Sequence, residues 1–144
     1  MVQQDDLETV RRVYAAFDRA DLGAVVALVE PEVTVVQSPA LPWGGTHHGV
    51  EGVGRFLHAL STCLDSRAET ELLLHDGAGH VVQVGRTRGA VRASGAAFDV
   101  REVHVWTVRQ GRVQRFEAYV DHAAMGEALT RTGTAPAAPP TGAA

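Results

Sequence analysis

A chain of 144 residues, 45% apolar and 21% charged, has the size and balance of one soluble domain with its own core. Its net charge of −4 leaves no basic footprint, which argues against a nucleic-acid partner. No apolar run is long enough to span a bilayer and no signal-peptide pattern opens the chain, so no membrane partner and a cytoplasmic location are expected. The single cysteine, Cys63, excludes an internal disulfide and reads as a small core hydrophobe.

Leu7, Val10, Tyr14 and Phe17 recur at helical spacing and predict a first helix starting near Asp5 or Asp6, with Asp5 as N-cap and Glu8 completing a capping box. A second short helix follows Asp21 and ends before Pro31. A strand is predicted over 33–38, then a Pro/Gly-rich loop carrying Trp43, then a third helix over 50–64. Strands follow over 69–75, 80–88, 97–108 and 112–120, and a last short helix starts at Asp121. Residues 131–144 are Pro/Ala-rich, with only Pro, Ala, Thr and Gly from Gly133 on, and are predicted to form a disordered tail beyond a single domain of residues 1–130. Helices first and an antiparallel sheet afterwards give the α+β class.

The segment from Val103 to Asp121 reads as a hairpin turning at Gln110-Gly111. With Arg109 opposite Arg112, strict alternation places Glu102, His104, Trp106, Arg115, Glu117 and Tyr119 on one face, and Val103, Val105, Thr107, Phe116, Ala118 and Val120 on the other. Which face lines a pocket decides where function lies.

Four stretches carry a family resemblance: Val13-Tyr-Ala-Ala-Phe-Asp-Arg-Ala-Asp-Leu22, Pro31-Glu-Val-Thr-Val35, Gly49-Val-Glu-Gly-Val53 and Gly111-Arg-Val-Gln-Arg-Phe-Glu-Ala-Tyr-Val-Asp121. In that order they resemble SnoaL-like proteins of the nuclear transport factor 2-like superfamily, which includes polyketide cyclases, ketosteroid isomerases and limonene epoxide hydrolases. The resemblance implies a cone: a curved antiparallel sheet wrapped around three N-terminal helices, an apolar pocket in its hollow, and a dimer across the outer sheet face. It implies that Phe116, Ala118 and Val120 point inward, and with them, by the hairpin pairing above, Val103 and Val105. Trp106 and Tyr119 then face a partner subunit. Tyr14 matches the isomerases' oxyanion-stabilising tyrosine, and Ser38 or Gln37 falls where those enzymes keep a base. The carboxylates used elsewhere in the superfamily meet Val103, Gly85, Thr87 and Ala118.

The same resemblance leaves open whether Tyr14 binds a ligand or fills the helix stripe, and whether Asp99 and Arg101 form an acid/base pair at the pocket mouth or a plain ion pair. Val36, Gln83 and Thr87 are expected inside the pocket and Trp43 at its rim. His47-His48 cannot both face one metal and have no third ligand nearby, so neither a metal nor another cofactor is expected. The reading is a cyclase or isomerase acting on a hydrophobic, polyketide-like substrate, templating ring formation with few acid/base groups, Tyr14, Ser38, Asp99 and Arg101 being the candidates. The alternatives are a binding protein without catalysis and an isomerase using Asp99.

Overall fold

The computed structural model describes residues 2–131, so the predicted tail, apart from Arg131, lies outside the described residues. Four helices and six strands run α1 (Val2–Asp18), α2 (Leu22–Ala27), β1 (Val29–Gln37), β2 (Gly45–His48), α3 (Gly49–Cys63), β3 (Leu64–His75), β4 (His80–Val91), β5 (Ala97–Arg109), β6 (Arg112–Val120) and α4 (His122–Thr130). The strands make one curved, unclosed sheet in the order β2-β1-β6-β5-β4-β3, against whose hollow side the helices pack. Every pairing is antiparallel except β1–β6, so the α+β cone is as expected but its sheet is mixed. Among the described residues no helix is long and apolar enough to cross a membrane.

Local chemistry explains most boundaries. Asp21 and Asp121 cap α2 and α4, each accepting a bond from the backbone N–H three residues on. Helix α1 starts at Val2, which moves Asp5 from the predicted cap into the first turn. Asp6, on the same turn, faces inward and its Oδ2 stands 2.8 Å from His75 Nε2. The deepest stripe of α1 is Val10, Val13 and Ala16, with Leu7, Tyr14 and Phe17 packed beside it. Gly44 has to lack a side chain: a Cβ there would stand 1.7 Å from the Ser38 carbonyl oxygen.

The hairpin turn is where it is predicted. Gln110 and Gly111 both take positive φ, 52° and 77°, which a two-residue hairpin loop with the right twist requires. Arg109 pairs with Arg112 and Val108 with Val113. The register then shifts: Thr107 pairs with Arg115, Trp106 with Phe116, His104 with Ala118 and Glu102 with Val120. Gln114 is the inserted residue of a β-bulge, and one extra residue turns everything beyond it to the other face.

This corrects the predicted faces. Phe116 and Ala118 point inward as expected, but their β5 neighbours are the buried Glu102, His104 and Trp106. Val103 and Val105 lie on the outer face, half-buried. Trp106 is 2% exposed and belongs to the core, so it cannot contribute to an outer interface, whereas Tyr119 is 54% exposed. A parallel register of Val35 with Phe116 and Gln37 with Ala118 likewise puts Gln37 inside and Val36 outside.

Candidate active site

The hollow of the sheet, closed by α1, α2 and α3, holds a cavity of about 560 Å³. Small-molecule sites usually span about 300–1,000 Å³ and combine an apolar wall with a few placed polar groups. Here Phe17, Val25, Phe56, Leu57, Phe116, Ala118, Val120 and Met125 supply the wall. Tyr14, Gln37, Thr87, Glu102 and His104 supply polarity, and the exposed Asp21, Ser61, Arg67 and Arg92 line its open end.

The polar groups form one connected chain. Trp106 Nε1–H donates to Tyr14 Oη at 3.0 Å. Tyr14 Oη is 2.6 Å from His104 Nδ1, and His104 Nε2 is 3.2 Å from Glu102 Oε1. Gln83 Nε2 donates to Glu102 Oε2 at 3.0 Å and to Thr70 Oγ1 at 3.3 Å. An indole N–H only donates, so the Trp106 to Tyr14 direction is fixed. Tyr14 Oη therefore accepts from Trp106, and its own O–H is free to turn to His104 Nδ1 in the tautomer that carries the His104 proton on Nε2, the side of Glu102. Burial, offset in part by the Trp106 bond, pushes the Tyr14 phenol far above its ordinary value, so it stays a proton donor. Aromatic packing holds the geometry: Tyr14 meets the Trp106 ring edge-on at 5.3 Å, and the Phe116 ring lies 4.3 Å from Trp106 and 4.9 Å from His104.

Of the residues singled out from sequence, Tyr14, Trp43, Thr87, Phe116, Ala118 and Val120 line this cavity. Gln83 is fully buried behind it, gripping Glu102. Ser38 does not reach it; its Oγ accepts from the Ala40 N–H at 3.2 Å in a local turn. Asp99 and Arg101 are on the opposite side of the sheet. Asp99 accepts from Arg86 Nε at 2.7 Å and Arg88 Nε at 3.2 Å, and Arg101 Nη1 donates to Glu71 Oε1 at 2.8 Å. They belong to an exposed ion-pair lattice, which removes the isomerase reading built on Asp99. Val36, Val103 and Val105 stand on that outer side too.

The strict alternation passed over Glu102, His104 and Trp106. A signal for them exists in β6. Val113 and Phe116 are the buried apolar residues that should share a face, yet they are three apart, which a period of two allows only with an inserted residue. The metal expectation concerned His47-His48; among the described residues no cluster of three or more potential ligands forms.

The SnoaL-like domain family matches residues 10–116. An uncharacterised protein of Mycobacterium tuberculosis is 32% identical over 127 residues, spanning 86% of this chain and 95% of its own. Among solved structures, an NTF2-like protein of unknown function from Burkholderia pseudomallei matches with a TM-score of 0.81 at 30% identity, over 88% of this chain and 98% of that one. TerC, co-crystallised with polyporic acid, matches with a TM-score of 0.80 at 26% identity, over 88% of this chain and 99% of its own.

Proposed function

The chain belongs to the SnoaL-like family, and from that premise we propose that it is a cyclase or isomerase of a hydrophobic, polyketide-like carbonyl compound, working in the cytoplasm by proton transfer inside the cavity. One observation carries the reading: the Tyr14–His104–Glu102 chain stands in the cavity wall beside the apolar Phe116, Ala118 and Val120. A single protein hydrogen bond, Tyr14 to His104, has to be exchanged for the site to act. When a substrate carbonyl reaches Tyr14, the phenol O–H turns to it and frees His104 Nδ1. Nδ1 takes a proton from the carbon beside the carbonyl, and the electron pair of that C–H bond moves to the oxygen as an enolate. The imidazolium is then held at Nε2–H by Glu102 and at Nδ1–H by the Tyr14 oxygen, and Tyr14 still donates to the enolate. The enolate carbon either attacks a second carbonyl carbon of the same molecule, closing a ring as that C=O electron pair becomes an alkoxide that takes the His104 Nδ1 proton, or the enolate of an unsaturated ketone takes that proton at its γ-carbon as an isomer; either route returns His104 to its starting state.

The magnitudes suit this division of labour. A positioned base is worth about 10²–10⁴-fold and one oxyanion donor about 3 kcal/mol. Holding a flexible chain in a reactive fold contributes up to ~7–11 kcal/mol. TerC's co-crystal with polyporic acid supports a small organic ligand for this cavity. The carrier reading rested on missing acid/base groups, and Glu102 and His104 remove that motive. No metal or cofactor enters the scheme.

The test is exchange of the α-protons of 2-tetralone, an apolar enolisable ketone, for solvent deuterium. The wild-type protein is expected to accelerate it, His104→Ala to lose about 10²–10⁴-fold and Tyr14→Phe about 10²-fold, with both variants melting cooperatively. Exchange no faster than in buffer, with the ketone bound, returns the binding-protein reading. We also propose that the outer sheet face pairs two copies. Leu72 and Leu74, each 48% exposed, continue through Val84 and Val82 to Val103 and Val105, an apolar surface wider than a lone soluble domain usually leaves open.

A further inference from the structure

Gln37 ends β1 with its side chain in the cavity wall and only 5% of the residue exposed. Its Oε1 accepts the Trp43 indole N–H at 2.9 Å, in a bond buried between β1 and the loop that follows it. An indole nitrogen cannot accept, so this bond fixes which way the amide points: oxygen to Trp43, nitrogen away from it. The nitrogen has no partner among the described residues, yet it is not sealed in; the buried side-chain polar atoms without partners are His47 Nε2 and Gln83 Oε1. With so little of Gln37 open to bulk solvent, the two Nε2–H donors face the cavity. Trp43, 2% exposed, is thus less a rim residue than the group that aims this amide.

The sheet register locates these donors relative to the proton-transfer chain. Gln37 pairs with Ala118, and Ala118 pairs with His104. The amide and the imidazole therefore stand on one rung, two strand spacings or about 10 Å apart at the backbone, with the small Ala118 between them. A ligand lying over Ala118 touches both ends.

We propose that Gln37 is a specificity-determining residue of this site, donating through Nε2 to a second oxygen of the substrate while the reacting carbonyl sits at Tyr14 and His104. The substrate class is then an apolar molecule with two oxygen functions separated by most of its length. This rests on the reading of the cavity as a carbonyl site and adds to it the position of the second oxygen. A donor left without an acceptor in a dry cavity is costly, so a ligand lacking that oxygen is rejected in favour of one that has it.

Two ketones that differ by one oxygen test this: 2-tetralone and 6-hydroxy-2-tetralone, titrated calorimetrically into the whole protein. The wild type is expected to prefer the hydroxylated ketone by about tenfold. Gln37→Met, similar in size, is expected to erase that preference while binding 2-tetralone within about twofold of the wild type. Gln37→Glu keeps an acceptor for Trp43, and so the local anchor, but removes the cavity-facing donors; titrated with 6-methoxy-2-tetralone, whose ether oxygen can only accept, it is expected to lose the preference as well. A preference that survives both substitutions overturns the role of Gln37; if Tyr14→Phe still weakens both ketones alike, the carbonyl-site reading stands without it. Failure of the wild type to bind either ketone overturns both.

Discussion

The two faces of β5 carry different kinds of polarity. Outward, Asp99 and Arg101 join Glu69, Glu71, Arg86 and Arg88 in a lattice open to water. Each pair there is one of several interchangeable contacts, and solvent screens all of them. Inward, Glu102 and His104 are 4% and 8% exposed; Glu102 accepts from Gln83, and His104 stands between Tyr14 and Glu102, each with a named partner in the wall. Charge count favours the outer face as a functional site; burial and directionality favour the inner one. Polar residues that a fold hides and then wires together are held at a cost that a surface ion pair does not incur.

The comparison breaks most completely at the bulge. Inserting one alanine between Thr107 and Val108 gives Gln114 a partner and restores plain alternation, which would turn Trp106, His104, Phe116 and Ala118 away from the face that Val108 and Val113 share. Loss of the cooperative melt is the expected outcome; an insertion variant that melts like the parent would refute the role given to the bulge.

Next in size is self-association through the outer face. Val103→Lys, one residue from either Glu102 or His104 but on the other side of the sheet, is expected to convert dimer to monomer by sedimentation while deuterium exchange into 2-tetralone stays within about twofold. Loss of exchange without a change in mass would mean the two faces are not independent.

Alkaline titration separates the chain's two tyrosines by the same logic. The Tyr14 phenol is raised by burial, whereas Tyr119 on the surface is raised mainly by its bond to Glu117. Above pH ~10 the unfolded chain ionises its tyrosines while folded Tyr14 keeps its proton, so the unfolded state binds fewer protons and stability falls as pH rises. Phenolate absorbance should therefore rise first for Tyr119, with the second step arriving together with unfolding, and Tyr14→Phe should flatten the alkaline loss of stability. Two steps well below the unfolding pH would show Tyr14 to be less enclosed than the structure has it. The smallest effect is expected from Asp99→Asn, a Tm change within about 3 °C and unchanged exchange, because Arg86 and Arg88 keep other carboxylates.

Much of this architecture could be read from the chain, and the reason is local. The apolar stripes of α1 and α3, the capping Asp21 and Asp121 and the Gln110-Gly111 turn act within a few residues, so their signals are written where they act. The candidate site depends on pairing across strands. Tyr14, Trp43, Thr87, Phe116, Ala118 and Val120 were placed at the cavity by pattern and resemblance, but the side on which Glu102 and His104 lie hangs on one inserted residue, Gln114, ten positions or more along the chain (114 − 104). The three-residue step from Val113 to Phe116 carried that information. Gln37 shared its signal with Ser38, since the resemblance offered either, and only the register against β6 puts Gln37 on the inner face.

That register has a kinetic side. Val35 meets Phe116 across 81 positions of sequence (116 − 35), among the most distant pairings in the sheet. Closing so long a segment costs chain entropy that nearby contacts cannot offset in advance. Gln37, Ala118 and His104 share a rung only once that closure is made. No subset of neighbouring elements assembles a weaker version of the cavity, so its ligand binding reports on the whole chain: present when the distant ends have joined, absent when they have not.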